Sequence, residues 1–218
     1  MNKDYDEIRR VANVAEMEEV YRLTHDSYVS KAYTEIQDNG LLLHYPEFDV
    51  IPETKVLAAL QDGKMIGTIS LTIDGPFGFT LDRDFRDDIA KLRDEGRRVA
   101  VIWRLVVRED CRSSRTVLLG LISAVTRLAI SHGVNTYLFE VNPKHERVYM
   151  RLLNMSVVAR NEGAQGLQHA PAVLLRGDDE NLPEEWRLGE YTPKKYDPVG
   201  LAMLDQLLTP LPEKKAAL

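Results

Sequence analysis

The chain of 218 residues is long enough for one sizeable domain on a single hydrophobic core, and its 44% hydrophobic and 28% charged residues exclude disordered, collagen-like and rod-like architectures. With 28 Lys and Arg against 34 Asp and Glu, the net charge of −6 argues against a nucleic-acid partner or broad capture by an anionic membrane. The lone cysteine, Cys111, can form neither an internal disulfide nor a thiolate metal cluster, and it fits a reducing compartment.

In chain order, residues 7–14 read as a short edge strand. Asn13 then caps a helix, with Glu16 as the reciprocal capping-box carboxylate and Met17, Val20, Tyr21, Thr24 and Tyr28 sharing one face. Lys31 to Glu53 is irregular, rich in Tyr, His, Pro and Gly, and long irregular segments in compact domains often carry function. Residues 55–60 and 65–73 are β-rich runs joined by Gln61-Asp62-Gly63-Lys64, the signature of a tight hairpin. Thr80 to Gly96 reads as one charged helix with Phe85, Ile89 and Leu92 on its buried side. Val99 to Val107 is apolar apart from Arg104 and reads as a central strand covered on both faces.

Ser113 or Ser114 caps the next helix, from Arg115 to about His132, which Gly133 ends. Strand Thr136 to Val141 follows, then Asn142-Pro143 as cap and first helical position of a helix reaching Leu153. Ala172 to Arg176 is a last core strand. The expected organisation is one domain over residues 1–177, followed by a Pro-rich, charged extension over 178–218 whose residues 199–208 form a short amphipathic helix. The N-terminus lacks the apolar core of a signal peptide, and the most apolar stretch, 117–125, is too short to cross a bilayer. A cytoplasmic protein with no integral membrane segment is expected. No metal-ligand spacing or dinucleotide motif is present in the sequence.

Val141-Asn142-Pro143-Lys144-His145-Glu146-Arg147-Val148-Tyr149-Met150-Arg151-Leu152-Leu153 resembles the fifth strand and fourth helix of the GNAT acyltransferase superfamily. Within it the sequence looks most like the N-acyl amino acid synthases, relatives of the acyl-homoserine-lactone synthases. Gly67-Thr68-Ile69-Ser70-Leu71, Gly75-Pro76-Phe77-Gly78-Phe79 and Ala170-Pro171-Ala172-Val173-Leu174-Leu175-Arg176 fit the same family. So does Arg97 to Val107, at the strand that carries the family's Glu-x-x-Arg motif. The resemblance spans roughly Val20 to Arg176. It implies an α/β GNAT fold, a mixed, centrally split β-sheet flanked by helices. It also implies an enzyme that moves an acyl group from a phosphopantetheine thioester, on acyl carrier protein or coenzyme A, to the amino group of an amino acid or small amine. No tightly bound cofactor is implied.

The resemblance also assigns roles. Tyr149, seven residues after Asn142, matches the tyrosine that protonates the departing thiolate, against the alternative of a helix residue packed under the strand. Arg104 interrupts an apolar strand, so its guanidinium needs an acceptor or a ligand. Asp49 matches an acidic position over the site and either pairs with Arg104, holds the acceptor amine or is a solvated turn residue. The splayed strand edge at Leu105, Val106 and Val107 offers backbone groups to the pantetheine amides. Arg112, Ser113, Ser114 and Arg115 form the phosphate loop, and Asn142 either caps its helix or faces the pantetheine. An acidic carrier protein would need a basic patch, for which Arg112, Arg115 and Arg97-Arg98 are candidates.

Two charges of the family pattern are missing. Its glutamate three residues before Arg104 is Val101 here, and its arginine in the first helix is Thr24; losing both together leaves the buried charge balanced. The general base must then come from elsewhere, with His145 first on chemical grounds and His44 and Glu140 behind it. Two other functions compete: a short-chain acetyl-coenzyme-A-dependent N-acetyltransferase, and a non-catalytic module binding an acyl thioester or its carrier protein.

Overall fold

The computed structural model describes residues 5–111, 114–163, 171–183 and Trp186. Asn13 is the expected N-cap: its side chain accepts the Glu16 N–H at 3.0 Å, and α1 runs Val14–Ser30. The Glu16 carboxylate takes the Ala12 N–H at 2.8 Å instead of that of Asn13, because it is drawn back towards both terminal nitrogens of Arg9, at 2.9 and 2.8 Å. Val20 and Thr24 on the inner face are fully buried.

Seven strands form one sheet: β1 (Glu7–Arg10), β2 (Thr54–Gln61), β3 (Lys64–Ile73), β4 (Val99–Val107), β5 (Thr136–Val141), β6 (Ser156–Asn161) and β7 (Ala172–Asp178), in the order β1-β2-β3-β4-β5-β7-β6. All neighbours are antiparallel except the parallel pair β4 and β5. Asp62 and Gly63, at φ 51° and 72°, make the two-residue turn between β2 and β3 that positive φ at both central positions requires. β6 is absent from the sequence-based expectation. It is a short edge strand with only Val157, Val158 and Ala159 apolar, and its direction is set by the left-handed Asn154, φ 52°, just before it.

Helices α4 (Ser114–Ser131) and α5 (Glu146–Leu153) share a core with Ala100, Ile102, Phe139 and Leu175 on one face of the sheet. On the opposite face Val99, Val101, Trp103, Leu138 and Leu174 pack with Phe85, Ile89 and Leu92 of the α3 region (Arg86–Asp94). This alternation of inner and outer residues along each strand is the period-two geometry of a sheet covered on both sides. Gly67 admits α4 to the sheet: a Cβ there would lie 2.9 Å from the Leu121 side chain and 3.1 Å from the Val106 carbonyl oxygen.

The single helix expected from Thr80 to Gly96 is two pieces, a 3-10 turn at Thr80–Arg83 and then α3. The Asp82 carboxylate closes the short turn by accepting the Phe79 N–H at 2.6 Å. Phe85, at φ −135°, then leaves helical geometry and is buried in the core.

The described part of the C-terminal extension packs on the domain: Leu182 and Trp186 are buried in the α4/α5 core, and the Trp186 indole donates to the Leu152 carbonyl at 3.1 Å. The expected helix over 199–208 lies outside the described residues. Among the described residues no helix is long and apolar enough to cross a membrane.

The feature that positions the site is a split in the middle of the sheet. Pairing between β4 and β5 ends at Ile102↔Phe139, although β4 continues to Val107 along β3. Beyond that point β4 also bulges: Ser70 pairs with Trp103 and Thr68 with Val106, so β4 holds one extra residue. Arg104 lies in the bulge at φ 50°, a left-handed conformation that costs a non-glycine residue about 1–3 kcal/mol and persists only where the surroundings hold it. β4 thus presents an unpaired backbone edge towards β5 where the strands part.

Candidate functional site in the strand split

The split opens into a cavity of about 420 Å³, within the range of small-molecule sites. Its walls come from the end of α1 and the loop after it (Tyr28, Lys31, Tyr33), the irregular segment (His44, Tyr45), β4 from Val101 to Leu105, β5, and α5 through Tyr149.

Arg104 anchors the floor. Its guanidinium is fully buried and forms an ion pair with Asp49, whose side chain is 3% exposed. Asp49 belongs to the four-residue α2 (Pro46–Asp49) and accepts a second bond from the Tyr21 hydroxyl at 2.9 Å. The guanidinium carbon lies 4.3 Å from the centre of the Trp103 ring and 5.7 Å from that of Tyr21, within the range of cation–π attraction. Only one of its nitrogens meets Asp49. Nε and Nη1 are buried without a hydrogen-bond partner, a costly arrangement in a closed interior. Of the roles open to Asp49, the structure shows pairing with Arg104.

Tyr149 projects from α5 against Phe139, ring centres 5.4 Å apart, and lines the cavity. Burial, with Tyr28 and Tyr33 nearby, raises its hydroxyl above the ordinary tyrosine range, so it keeps its proton at neutral pH. His145 lies one turn earlier, with Nε2 2.8 Å from the Tyr33 hydroxyl and Nδ1 buried without a partner. Burial and the charges of Lys144 and Lys31 lower its pKa to about 4. His44, stacked 4.2 Å from the Tyr45 ring, is lowered to about 3 by burial and by Arg104 and Arg83. Both imidazoles are therefore neutral at pH 7. Glu140 on β5 moves the other way: burial and the charge of Asp84 push it up to about 7, against the opposing effect of Arg83.

Leu105 and Val107 line the cavity and Val106 does not. Asn142 also lines it, and its side chain caps the following turn by accepting the Lys144 N–H at 3.1 Å. Arg112 and Ser113 lie outside the described residues; Ser114 opens α4, and Arg115 is exposed in its first turn.

Among the described residues, the members of the suggested basic patch do not share one surface. Arg97 and Arg98 precede β4, whereas Arg115 follows its far end, roughly 25 Å away along the strand at 3.3 Å per residue; Arg112 lies outside the described residues. Arg97 pairs with Glu180 at 3.2 Å and Arg98 donates to the His132 carbonyl at 2.8 Å. Besides Arg104, the cations that line the cavity are Lys31 and Lys144, the latter 4.6 Å from the Tyr33 ring centre. They escape sequence reasoning, as do Tyr21 and Trp103, because a lysine after a helix or an aromatic in a strand has no periodic signature. The one signal was the concentration of Tyr33, His44, Tyr45 and Phe48 in a segment with no helix or strand pattern.

Thr24 and Val101 are both fully buried and uncharged, and the Thr24 hydroxyl donates to the Val20 carbonyl at 2.7 Å within its own helix. Among the described residues no group of three or more His, Cys, Asp or Glu side chains could hold a metal ion.

The family model described as "N-acyl amino acid synthase FeeM" matches residues 19–178. Among solved structures, FeeM, an N-acyl amino acid synthase from uncultured soil microbes, superposes with a TM-score of 0.68 at 20% identity, covering 84% of this chain and 93% of that one. The acyl-homoserine-lactone synthase LasI gives a TM-score of 0.60 at 15% identity, with 84% and 93% covered. The coenzyme-A-dependent acyl-homoserine-lactone synthase BjaI gives 0.58 at 18%, with 84% and 86% covered. At these identities the likeness shows a shared fold. No curated protein sequence matches significantly.

Proposed function

Since the chain belongs to the N-acyl amino acid synthase family, we propose that it is an N-acyltransferase carrying an acyl group from a phosphopantetheine thioester to the amino group of an amino acid or small amine. The observation that carries this reading is the split itself. The β4 edge beyond Ile102 has no partner in β5, and the cavity runs from that edge to a buried, protonated tyrosine.

The donor's pantetheine amides pair with the free β4 edge between Trp103 and Val107, as an added strand would. Its phosphate is met by the 112–115 loop at the start of α4 and by Lys31 and Lys144 at the mouth. Asn142 borders the same channel. The acyl carbon lies in the split, where N–H groups of the bulged β4 segment face the developing oxyanion. Tyr149 gives its proton to the sulfur as the C–S bond breaks. Arg104, held by Asp49 and with Nε and Nη1 unspent, supplies two hydrogen-bond donors to an anionic or carbonyl group of a substrate. The catalytic domain spans residues 1–177 together with the start of the extension, since β7 runs to Asp178 and Leu182 and Trp186 complete its core, and a cytoplasmic home accords with the single cysteine.

The experiment presents the purified protein with a medium-chain acyl-coenzyme A or the same acyl group on acyl carrier protein, together with the standard amino acids, and follows thiol release and N-acylated products by mass spectrometry. An N-acyl amino acid from either donor supports the reading, and the better donor identifies the carrier. Absence of N-acylated product from both donors refutes it.

A further inference from the structure

An aliphatic amine is mostly protonated at neutral pH, and an ammonium group cannot attack a carbonyl. Some group in the cavity has to remove a proton, and most of its acids and bases are already occupied or unsuited. Asp49 is bound to Arg104 and Tyr21. His145 and His44 bind protons too weakly to take one from an ammonium group. Tyr149 keeps its own proton.

Glu140 remains, and its placement is specific. It is the first residue of β5 beyond the last β4–β5 pair, Ile102↔Phe139, and it lines the cavity. Alternation along β5 puts it on the face of Leu138, opposite Phe139. Leu138 shares that face with Val101 and Trp103, whereas Phe139 packs on Tyr149. The carboxylate and the Tyr149 hydroxyl therefore approach the split from opposite faces of the sheet, with the free β4 edge between them. Glu140 is held in the β5–β7 ladder opposite Leu174, and among the described residues its carboxylate makes no hydrogen bond or ion pair. The charged and titratable groups around it are Arg83 and Asp84 from the turn before α3, Tyr45 from the irregular segment and Tyr28 from α1.

We propose that Glu140 is the proton acceptor for the incoming amine, receiving its ammonium group on the Trp103 face of the split while the thiolate leaves towards Tyr149 on the other. The inference rests on the acyl-transfer reading above and adds to it the residue and the side from which the acceptor enters. One N–H proton of the ammonium passes to the carboxylate, and the freed amine attacks the thioester carbon. The C–N bond forms and the C–S bond breaks. The sulfur takes the Tyr149 proton, and the second proton lost by nitrogen replaces it through solvent. Glu140 releases its proton to solvent, so the products are an amide, a thiol and one net proton. The strand thus carries, one position past the ladder, the carboxylate that β4 lacks at Val101.

The test uses the full-length protein and its Glu140→Gln and Glu140→Asp variants, with an acyl-coenzyme A or acyl carrier protein donor and two acceptors. One acceptor is the best amino acid for the wild type; the other is hydroxylamine, which is already uncharged at pH 7. Glu140→Gln should lower kcat/KM for the amino acid by about 100-fold at pH 7 while leaving hydroxylamine acylation within a few-fold of wild type. Its rate with the amino acid should climb with pH towards the amine's own pKa, whereas the wild-type rate levels off once Glu140 is ionised. Glu140→Asp should recover part of the loss. Equal activity of Glu140→Gln and wild type on the amino acid, or equal loss on both acceptors, overturns the assignment while acyl transfer by the wild type stands. No transfer by the wild type to any amine overturns both.

Discussion

Replacing Asp49 by Ala tests whether the Arg104 ion pair is what holds the floor of the cavity. Asp49 is the one acceptor that the described residues offer this guanidinium, since Nε and Nη1 are already unpartnered, and the side chains are 3% and 0% exposed. Stranding a buried charge costs about 3–5 kcal/mol, which for a chain of this size is a fall in Tm of about 10 °C. Tyr21→Phe removes only the hydroxyl donor to Asp49 and should cost about 1–2 kcal/mol. The double replacement Asp49→Leu with Arg104→Met exchanges the pair for apolar groups of similar bulk, and such exchanges are often neutral or stabilising. Its stability should return close to wild type while acyl transfer is lost. Urea unfolding at neutral pH measures all three variants. A cost below about 1 kcal/mol for Asp49→Ala, or a double variant no more stable than the worse single one, would refute the reasoning.

Tyr149→Phe should lower kcat by about 100-fold with little change in Tm, because it removes a proton donor and keeps the ring packed on Phe139; steady-state kinetics beside a melting curve check this. Glu140 binds its proton more tightly folded, at about 7, than at its ordinary 4.5. Its contribution to stability is therefore complete below pH 4.5 and is lost as pH rises through 7, roughly 3 kcal/mol in all. Glu140→Gln should remove that slope in urea titrations across this range. His44 has the opposite sign: lowered from 6.5 to about 3, it contributes stability above pH 6.5 that is lost as pH falls towards 3. The Glu140 effect is thus read as variant minus wild type. Gly67→Ala brings a Cβ to 2.9 Å from Leu121 and 3.1 Å from the Val106 carbonyl oxygen, and should destabilise by about 1–3 kcal/mol in the same assay.

The sequence by itself determined the elements whose signals are local. The Asn13 cap, the Asp62-Gly63 turn, the apolar run of β4 and the Asn142-Pro143 start are each written within a few residues, and each forms where its chemistry requires. It also marked Arg104, because a guanidinium in an apolar strand demands a partner wherever the chain places it. The edge strand β6 and the break at Phe85 were hidden, the first because few apolar residues mark it, the second because tertiary packing of the ring outweighs helical periodicity. Tertiary structure alone decided what Arg104 meets, bringing Asp49 to it from 55 residues away through a four-residue helix without a buried face. It also set the electrostatic surroundings of His145, His44 and Glu140. Burial favours the uncharged form of every ionisable group, and it acts with opposite sign on acids and bases: the same enclosure that lowers His145 and His44 to about 4 and about 3 raises Glu140 towards neutrality. No residue pattern along the chain records that enclosure, because it exists only once β4 and β5 part and the segments on either side close over the gap.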